Sequence, residues 1–600
     1  TGEILVMVGS DDFNDPVDGQ INMALAPRQP GSSIKPLTYA LAFERGWNPA
    51  TLIWDVPTDF PDGANPPYRP VNYDGRFHGP TLVRGALANS YNIPAVKALE
   101  YVSLFGPPPA VDGQVDPRSG LIPFLRALGV ATLNRDDYGL SLTLGGGEVP
   151  LTQMVGAYGA LANGGRRVFP VAILRVTDST GRIICQQPLA PAQATADPPA
   201  CQDPPENWDQ PVITPETAYL ISDILSDNEA RTPAFGPDSP LRLSFPAAVK
   251  TGTTNDYRDN WTIGYTPDLV AGVWVGNADY TPMERTSGVT GAAPIWKAFM
   301  ELALAGRATP FARPAGIVEQ EVCAVSGAVP SEFCPVDLRR VERFAADRLP
   351  PPKERDLWQR AYVDPFTNLR QTAECAQVYQ TDQLYSQERA VIAVSDPFAQ
   401  KWLTEDPNGQ EWAARLGFFT PLIWAPARDC TLADPRPIVS LAYPLEGAVL
   451  LPGPMQIVGQ AAATAGFDRY VIEYGLSHDP IGWGLVQGDN YTPVPETGRL
   501  ADWDASGLPD GPVTVRVTVF SQAGGSAEYR VRFTFQRPTP TPAPTDTPAP
   551  TATPAPLPSE TPTSPPATAT ASPPPATPTV AIPATDTPPA TDTPAPTATP

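Results

Sequence analysis

Histidine is nearly absent from this chain, with His78 and His478 the only two among 600 residues. That excludes a histidine-based nucleophile triad, because His478 falls in a stretch of different character, and it leaves no ligand cluster for a metal. His78 itself lies in a Gly-containing loop and reads as a surface or packing residue. Long apolar runs are missing as well: none reaches the 18 residues that mark a membrane-spanning helix. Basic residues are few, 41 Lys and Arg against 64 Asp and Glu, and the net charge of −23 excludes a nucleic-acid partner, which needs clustered cations. Cysteine is limited to six, which pair by proximity as Cys185 with Cys201, Cys323 with Cys334 and Cys375 with Cys430. Six allow 15 connectivities, so the pairing rests on spacing alone. An even, closely spaced set suits an oxidising setting outside the cytoplasm.

What is present is a set of three short strings in fixed order: Ser32-Ser33-Ile34-Lys35, Ser90-Tyr91-Asn92 and Lys250-Thr251-Gly252-Thr253-Thr254. On a helix, residues three apart share a face with Cβ atoms about 5–6 Å apart, so the Lys35 amine can reach the Ser32 hydroxyl. A lysine accepts a serine proton only if burial or nearby positive charge lowers its pKa, so the site should be partly buried. Gly31 before the serine and Pro36 after the lysine suit a helix start, and Leu37, Leu41 and Ala42 continue an apolar face that Gly46 ends. Lys250 follows Ala247-Ala248-Val249 and precedes two further apolar stretches, Trp261–Tyr265 and Leu269–Val275. The pattern predicts a hairpin or meander with Lys250 on its opening strand.

Arg28-Gln29-Pro30-Gly31-Ser32-Ser33-Ile34-Lys35-Pro36 resembles the nucleophile motif of the penicillin-binding proteins, most closely the transpeptidase domain of the bifunctional class A members. The likeness extends through Asn72–Gly79, Ala86–Val96, Leu144–Val149 and Ala157–Gly165, and covers roughly residues 1 to 310. It implies an α/β (α+β) serine transpeptidase or β-lactamase-like fold, an antiparallel sheet flanked by helices, with no cofactor. It also implies roles. Ser32 would attack the carbonyl between the two terminal D-alanines of a peptidoglycan stem peptide; Lys35 would take its proton, and Ser90 would relay a proton to the departing amine. Asn92 would donate to the substrate backbone and help hold Lys35. Lys250 would face the substrate carboxylate, with Thr251 and Thr253 as hydrogen-bonding partners and Gly252 allowing close approach of the strand. The N–H groups of Ser32 and Thr253 would form the oxyanion hole. The expected partners are stem peptides as donors, amines as acceptors, and β-lactams as inhibitors.

Two other readings compete. One delivers the acyl group to water, as a D,D-carboxypeptidase or serine β-lactamase; the Glu-x-x-Leu-Asn string that supplies the deacylating base in class A lactamases does not occur between Asn92 and Lys250. The other is a wall-binding or β-lactam-sensing module without turnover. In class A relatives a membrane anchor and a glycosyltransferase domain lie upstream, so an anchor before Thr1 and a place on the cell-wall side of the plasma membrane are expected. Glu3–Val8 reads as a core strand.

The remainder divides by composition. Residues 311–435 read as an accessory or linker region with disulfides. From 436 to 537 short alternating strands, such as Val513, Val515, Val517 and Val519, suggest an immunoglobulin-like β-sandwich able to contact the cell wall, its aromatics in the core. Residues 538–600 hold 22 prolines in 63 positions with no Lys or Arg, a Pro/Thr-rich composition that cannot bury a core and predicts a disordered stalk. The catalytic part is expected to stand without the regions C-terminal to it.

Overall fold

Helix α1 (Lys35–Glu44) is the axis around which the catalytic part is built. Every residue from Lys35 to Phe43 is buried, so the helix is packed on all sides rather than along one apolar face. Pro36 sits in its first turn, where a missing N–H costs little, and the helix ends two residues before Gly46, whose φ of +111° a side chain would strain. Ser32 lies just ahead, in a 3-10 turn over Gly31–Ile34. The computed structural model describes residues 2–63, 65–106, 116, 118–188, 197–202, 211–376, 387–418 and 421–538. The Pro/Thr-rich stretch from residue 539 onward lies outside the described residues.

Around α1, in chain order, come β1 (Leu52–Asp55), β2 (Gly79–Leu82), α2 (Val83–Ala88), α3 (Asn92–Val102), α4 (Leu151–Ala162), α5 (Pro215–Ser226) and α6 (Asn228–Phe235). The expected meander comes next as β3 (Ala248–Thr253), β4 (Asp259–Tyr265) and β5 (Val270–Gly276), antiparallel in that order, with Lys250 on the opening strand. All seven residues of β4 are buried, as a central strand covered on both faces requires. The covers can be located from two glycines on opposite faces. A Cβ on Gly272 would lie 2.6 Å from Val155 of α4, and Gly264 is packed by Trp296 of α7 (Ala292–Leu304). A sheet flanked by helices is therefore present.

Glu3–Val8 does not form the expected core strand. Glu3 makes a single bridge to Val171, and Leu5, Val6 and Val8 are exposed. An apolar run becomes a strand only where a neighbour pairs with its backbone, and here the pairing stops at the Ile4 N–H, which donates to the Val171 carbonyl at 2.9 Å.

Residues 311–435 pack closely against the catalytic part. A hairpin of Ile317–Cys323 with Arg339–Ala345 places Ile317 and Ala345 in the same core cluster as α1. Glu342 takes both bonds of a bidentate pair from Arg84 of α2, at 2.6 and 2.7 Å, while Asp223 and Asp227 occupy the rest of that guanidinium. Farther on, Trp402 joins Trp54 of β1, Val56 and Leu357 in a second cluster. The helices Pro397–Glu405 and Pro407–Arg415 are each capped by an aspartate, Asp396 and Asp406. All three expected cysteine pairs are joined. Cys323, Cys334 and Asp356 are the one group of possible metal ligands among the described residues, and the disulfide occupies both sulfurs.

The later all-β region is a sandwich of a three-stranded and a five-stranded sheet. Val513, Val515, Val517 and Val519 face its core together with Ile457, Ile472, Val531 and Phe533. Trp503 is part of that core as expected, but Trp483 stands outside it, with the Arg516 guanidinium 4.0 Å over its ring. Phe366 from the preceding region inserts into the same core. No helix among the described residues is long and apolar enough to cross a membrane.

Candidate active site

Three backbone segments meet at Ser32, and glycine is what lets them meet. A Cβ on Gly252 of β3 would lie 3.0 Å from the Ser33 nitrogen and closer still to the Pro30 carbonyl. One on Gly31 would lie 2.8 Å from the Thr253 nitrogen, and Gly31 and Gly145 already hold φ of +53° and +92°. Gly252 thus brings the strand against the Ser32 turn itself, not only against a substrate. The contact sets the Ser32 and Thr253 backbones side by side, the pairing that an oxyanion hole from their two N–H groups requires.

Lys35 is completely buried and directs Nζ away from its own helix. It donates to the Ser90 carbonyl at 2.6 Å, the Tyr91 carbonyl at 3.1 Å and Asn92 Oδ1 at 2.7 Å, with the Ser90 hydroxyl at 3.5 Å. The first three contacts use the three donors of an ammonium, and no hydrogen bond joins Lys35 to the Ser32 hydroxyl. Burial first, and the charge of Lys250 second, hold the Lys35 amine well below the usual lysine range; Asp55 pulls the other way. This is the buried, positively flanked setting that a lysine base needs.

Ser90 bridges the two lysines. Lys250 Nζ donates to its hydroxyl at 2.8 Å and to the Thr251 carbonyl at 2.8 Å. Burial, reinforced by Arg231, lowers the Lys250 amine to about 7. Alternation along β3 puts Lys250 and Gly252 on one face and Thr251 and Thr253 on the other. There the Thr253 hydroxyl accepts the Gly288 N–H at 3.0 Å, and a Cβ on Gly288 would lie 3.2 Å from that of Thr251. The structure therefore brings Ser32, Lys35, Ser90, Asn92 and Lys250 together and turns the two threonine side chains toward the Gly288 turn.

Behind this group lies a layer that the sequence did not disclose. Asp55, at the end of β1, is fully buried and accepts from Asn72 Nδ2 at 2.7 and 3.0 Å. His78, expected to be a surface or packing residue, points Nδ1 at Asp55 from 2.6 Å and stacks on Tyr91 with ring centroids 3.9 Å apart. Asn72 accepts the Asn92 N–H at 2.7 Å, and Asn92 Nδ2 donates to the Val71 carbonyl at 2.7 Å, so one of its two amide hydrogens is already engaged. An aspartate after an apolar Leu52-Ile53-Trp54 run was the available signal: a carboxylate at the end of a buried strand must find partners.

A serine, a buried lysine, a Ser-x-Asn turn and a strand lysine on an antiparallel sheet define a serine acyltransferase of the penicillin-recognising class. Residues 1–104 and 134–301 match the penicillin binding protein transpeptidase domain, and residues 313–351 match the C-terminal domain of penicillin-binding protein 1A. These residues form a penicillin-binding protein transpeptidase domain of the 1A type, followed by the 1A C-terminal domain. The second match covers the Cys323–Cys334 segment, to which the sequence alone assigned no family. Penicillin-binding protein 1A of Neisseria lactamica is 33% identical over 312 residues, 51% of this chain and 35% of that one. Penicillin-binding protein 2D of Bacillus subtilis is 32% identical over 326 residues, 53% of this chain and 42% of that one. The chain thus spans well under half the length of these relatives. Among solved structures, penicillin-binding protein 1A of Haemophilus influenzae matches at 26% identity and a TM-score of 0.46, covering 57% of this chain and 51% of that one. PonA1 of Mycobacterium tuberculosis matches at 21% and 0.39, covering 51% and 75%.

Proposed function

We propose that this protein crosslinks peptidoglycan as a D,D-transpeptidase, with Ser32 as nucleophile and Lys35 as its base. The observation that carries the reading is the grouping of Lys35, bonded to the Ser90 carbonyl at 2.6 Å and 3.5 Å from its hydroxyl, with Lys250, which donates to that hydroxyl at 2.8 Å, beside the closely packed Ser32 and Thr253 backbones. A neutral amine keeps two N–H donors, so deprotonated Lys35 releases one of its three acceptors and offers a lone pair to the Ser32 hydroxyl.

Ser32 Oγ then bonds to the carbonyl carbon of the penultimate D-alanine while its proton passes to Lys35. The tetrahedral oxyanion is held by the Ser32 and Thr253 N–H groups. Collapse breaks the C–N bond; the proton returns through the Ser90 hydroxyl to the departing D-alanine nitrogen, leaving an ester on Ser32. An amine from a second stem peptide attacks that ester, forms the crosslink and frees the serine. Lys250 draws in the terminal carboxylate of the donor. β-Lactams follow the same first step and stay attached, because their leaving amine remains tethered. The three disulfides and the peptidoglycan substrate both support a location outside the cytoplasm for this chemistry.

Labelling with fluorescent penicillin, followed by chase with unlabelled drug, tests the reading. A long-lived adduct on Ser32 is expected. Rapid loss would instead mean a hydrolase, and no adduct a module without turnover.

A further inference from the structure

Ser90 occupies left-handed backbone at φ +63°, a conformation that strains a non-glycine residue and persists only where the surroundings impose it. That conformation aims the Ser90 and Tyr91 carbonyls at Lys35 together. The surroundings are specific. Tyr91 is clamped by its stack on His78 at an interplanar angle of 13°, and Asn92 is held through its N–H by Asn72. Asn72 and His78 both grip Asp55, His78 through its ring at 2.6 Å and its backbone N–H at 3.1 Å. Gly79, next along, has φ +71° and lies so near Trp402 that a Cβ there would sit 2.8 Å from the ring. The loop is thus braced from the far side as well.

We propose that His78 and Asp55 are positioning residues: an ion pair that holds the Ser90–Asn92 turn in place and offsets part of the pull of the Asp55 charge on the Lys35 base. The inference rests on the reading of Ser32 as nucleophile and Lys35 as base, and deepens it. Both ring nitrogens of His78 face carboxylates, Nδ1 toward Asp55 and Nε2 toward Asp74 at 3.1 Å, an arrangement that only the doubly protonated ring satisfies. Burial works against that charge, yet Asp55 and Asp74 outweigh it and hold the imidazole above its ordinary value. The charged groups around Lys35 are Lys250 on β3 and Asp55 on β1, with Arg231 of α6 acting on Lys250. The Tyr39 and Tyr91 hydroxyls also feel Asp55 and stay neutral. Removing the His78 charge therefore leaves Asp55 uncompensated, and its pull on Lys35 favours the protonated amine, the form that cannot act as base.

The test is the pH profile of penicillin acylation in His78→Phe, His78→Gln and the Asp55→Asn/His78→Phe double variant. Phenylalanine preserves the stack on Tyr91 and abolishes the ion pair. Its acid limb is expected to move up by about one unit, so that the rate below the wild-type limb falls about tenfold. The double variant should bring the limb back. A folded His78→Phe protein with the wild-type profile overturns the proposal, as does a double variant no better than the single one. If His78→Phe does not fold, His78→Gln carries the test, since its amide can still donate to Asp55 without charge. The same limb shift supports the proposal there, and an unmoved limb overturns it. Ser32→Ala in parallel separates the two readings: a label that survives it overturns the nucleophile assignment, whereas a label that vanishes upholds that assignment and leaves His78 and Asp55 to be decided by the pH profile.

Discussion

Replacing Lys250 by alanine should produce two separable losses, because its amine does two things. It is buried, 2.8 Å from the Ser90 hydroxyl, where a substrate carboxylate would meet a charge-assisted hydrogen bond. Such a bond is worth about 1.5–3 kcal/mol, so ligands with a free carboxylate should lose about 10- to 150-fold in acylation efficiency. Amidated analogues should be spared that loss. The second effect is on Lys35, whose pKa the Lys250 charge depresses. Without that charge the Lys35 pKa rises, less free base exists at a given pH, and the acid limb moves to higher pH for both ligand types. The alkaline side moves as well. Lys250 titrates at about 7, so carboxylate ligands should lose efficiency on the wild-type protein as pH rises through that value. In the variant that limb should vanish. The assay is the second-order rate of fluorescent penicillin labelling from about pH 5 to 10, with free-acid and amidated forms. Equal losses for both forms with an unmoved acid limb would refute the reasoning and leave Lys250 a structural residue.

Other outcomes rest on the same geometry. Ser32→Ala should abolish covalent labelling with the melting temperature preserved, and Lys35→Ala should lower acylation by far more than tenfold; a rate within tenfold of wild type would mean that another group takes the proton. Arg84→Ala strands the buried Glu342 carboxylate, and breaking a buried pair costs about 3–5 kcal/mol, so thermal melting should show a large loss where a surface pair would show none. Truncation after Arg537 should leave labelling and melting unchanged. Truncation after Gly306 removes Ile317, Ala345 and Glu342 from a shared core and Trp402 from Gly79, so we expect a destabilised product; one as stable and as readily labelled as the full chain would show that the catalytic part stands alone.

Much of the site is legible in the sequence because its chemistry sits in short local strings. The Ser32–Lys35 spacing, the Ser90–Asn92 turn and the strand carrying Lys250 are local features, and the meander can be read from apolar stretches separated by turn residues. Cysteine proximity is enough for the three pairs. What stays hidden depends on long-range contacts. Asp55 and His78 are 23 residues apart and meet only because β1 and β2 pair. Ile4–Val8 reads as a strand by composition, yet strand formation is decided by a neighbour's backbone. Helix α1 reads as one-sided because its apolar spacing says nothing of Thr38, buried against the Thr143 hydroxyl at 2.9 Å. The packing of residues 313–351 against the catalytic part rests on buried pairs such as Arg84 with Glu342, for which spacing in the chain carries no signal.

The most direct test of the central claim is mass spectrometry of the protein after exposure to benzylpenicillin, intact and then digested. The expected result is a single added penicillin on the peptide containing Ser32, stable over the time of digestion and absent from Ser32→Ala. An adduct on any other residue, or a Ser32→Ala protein that gains the same mass, would contradict it.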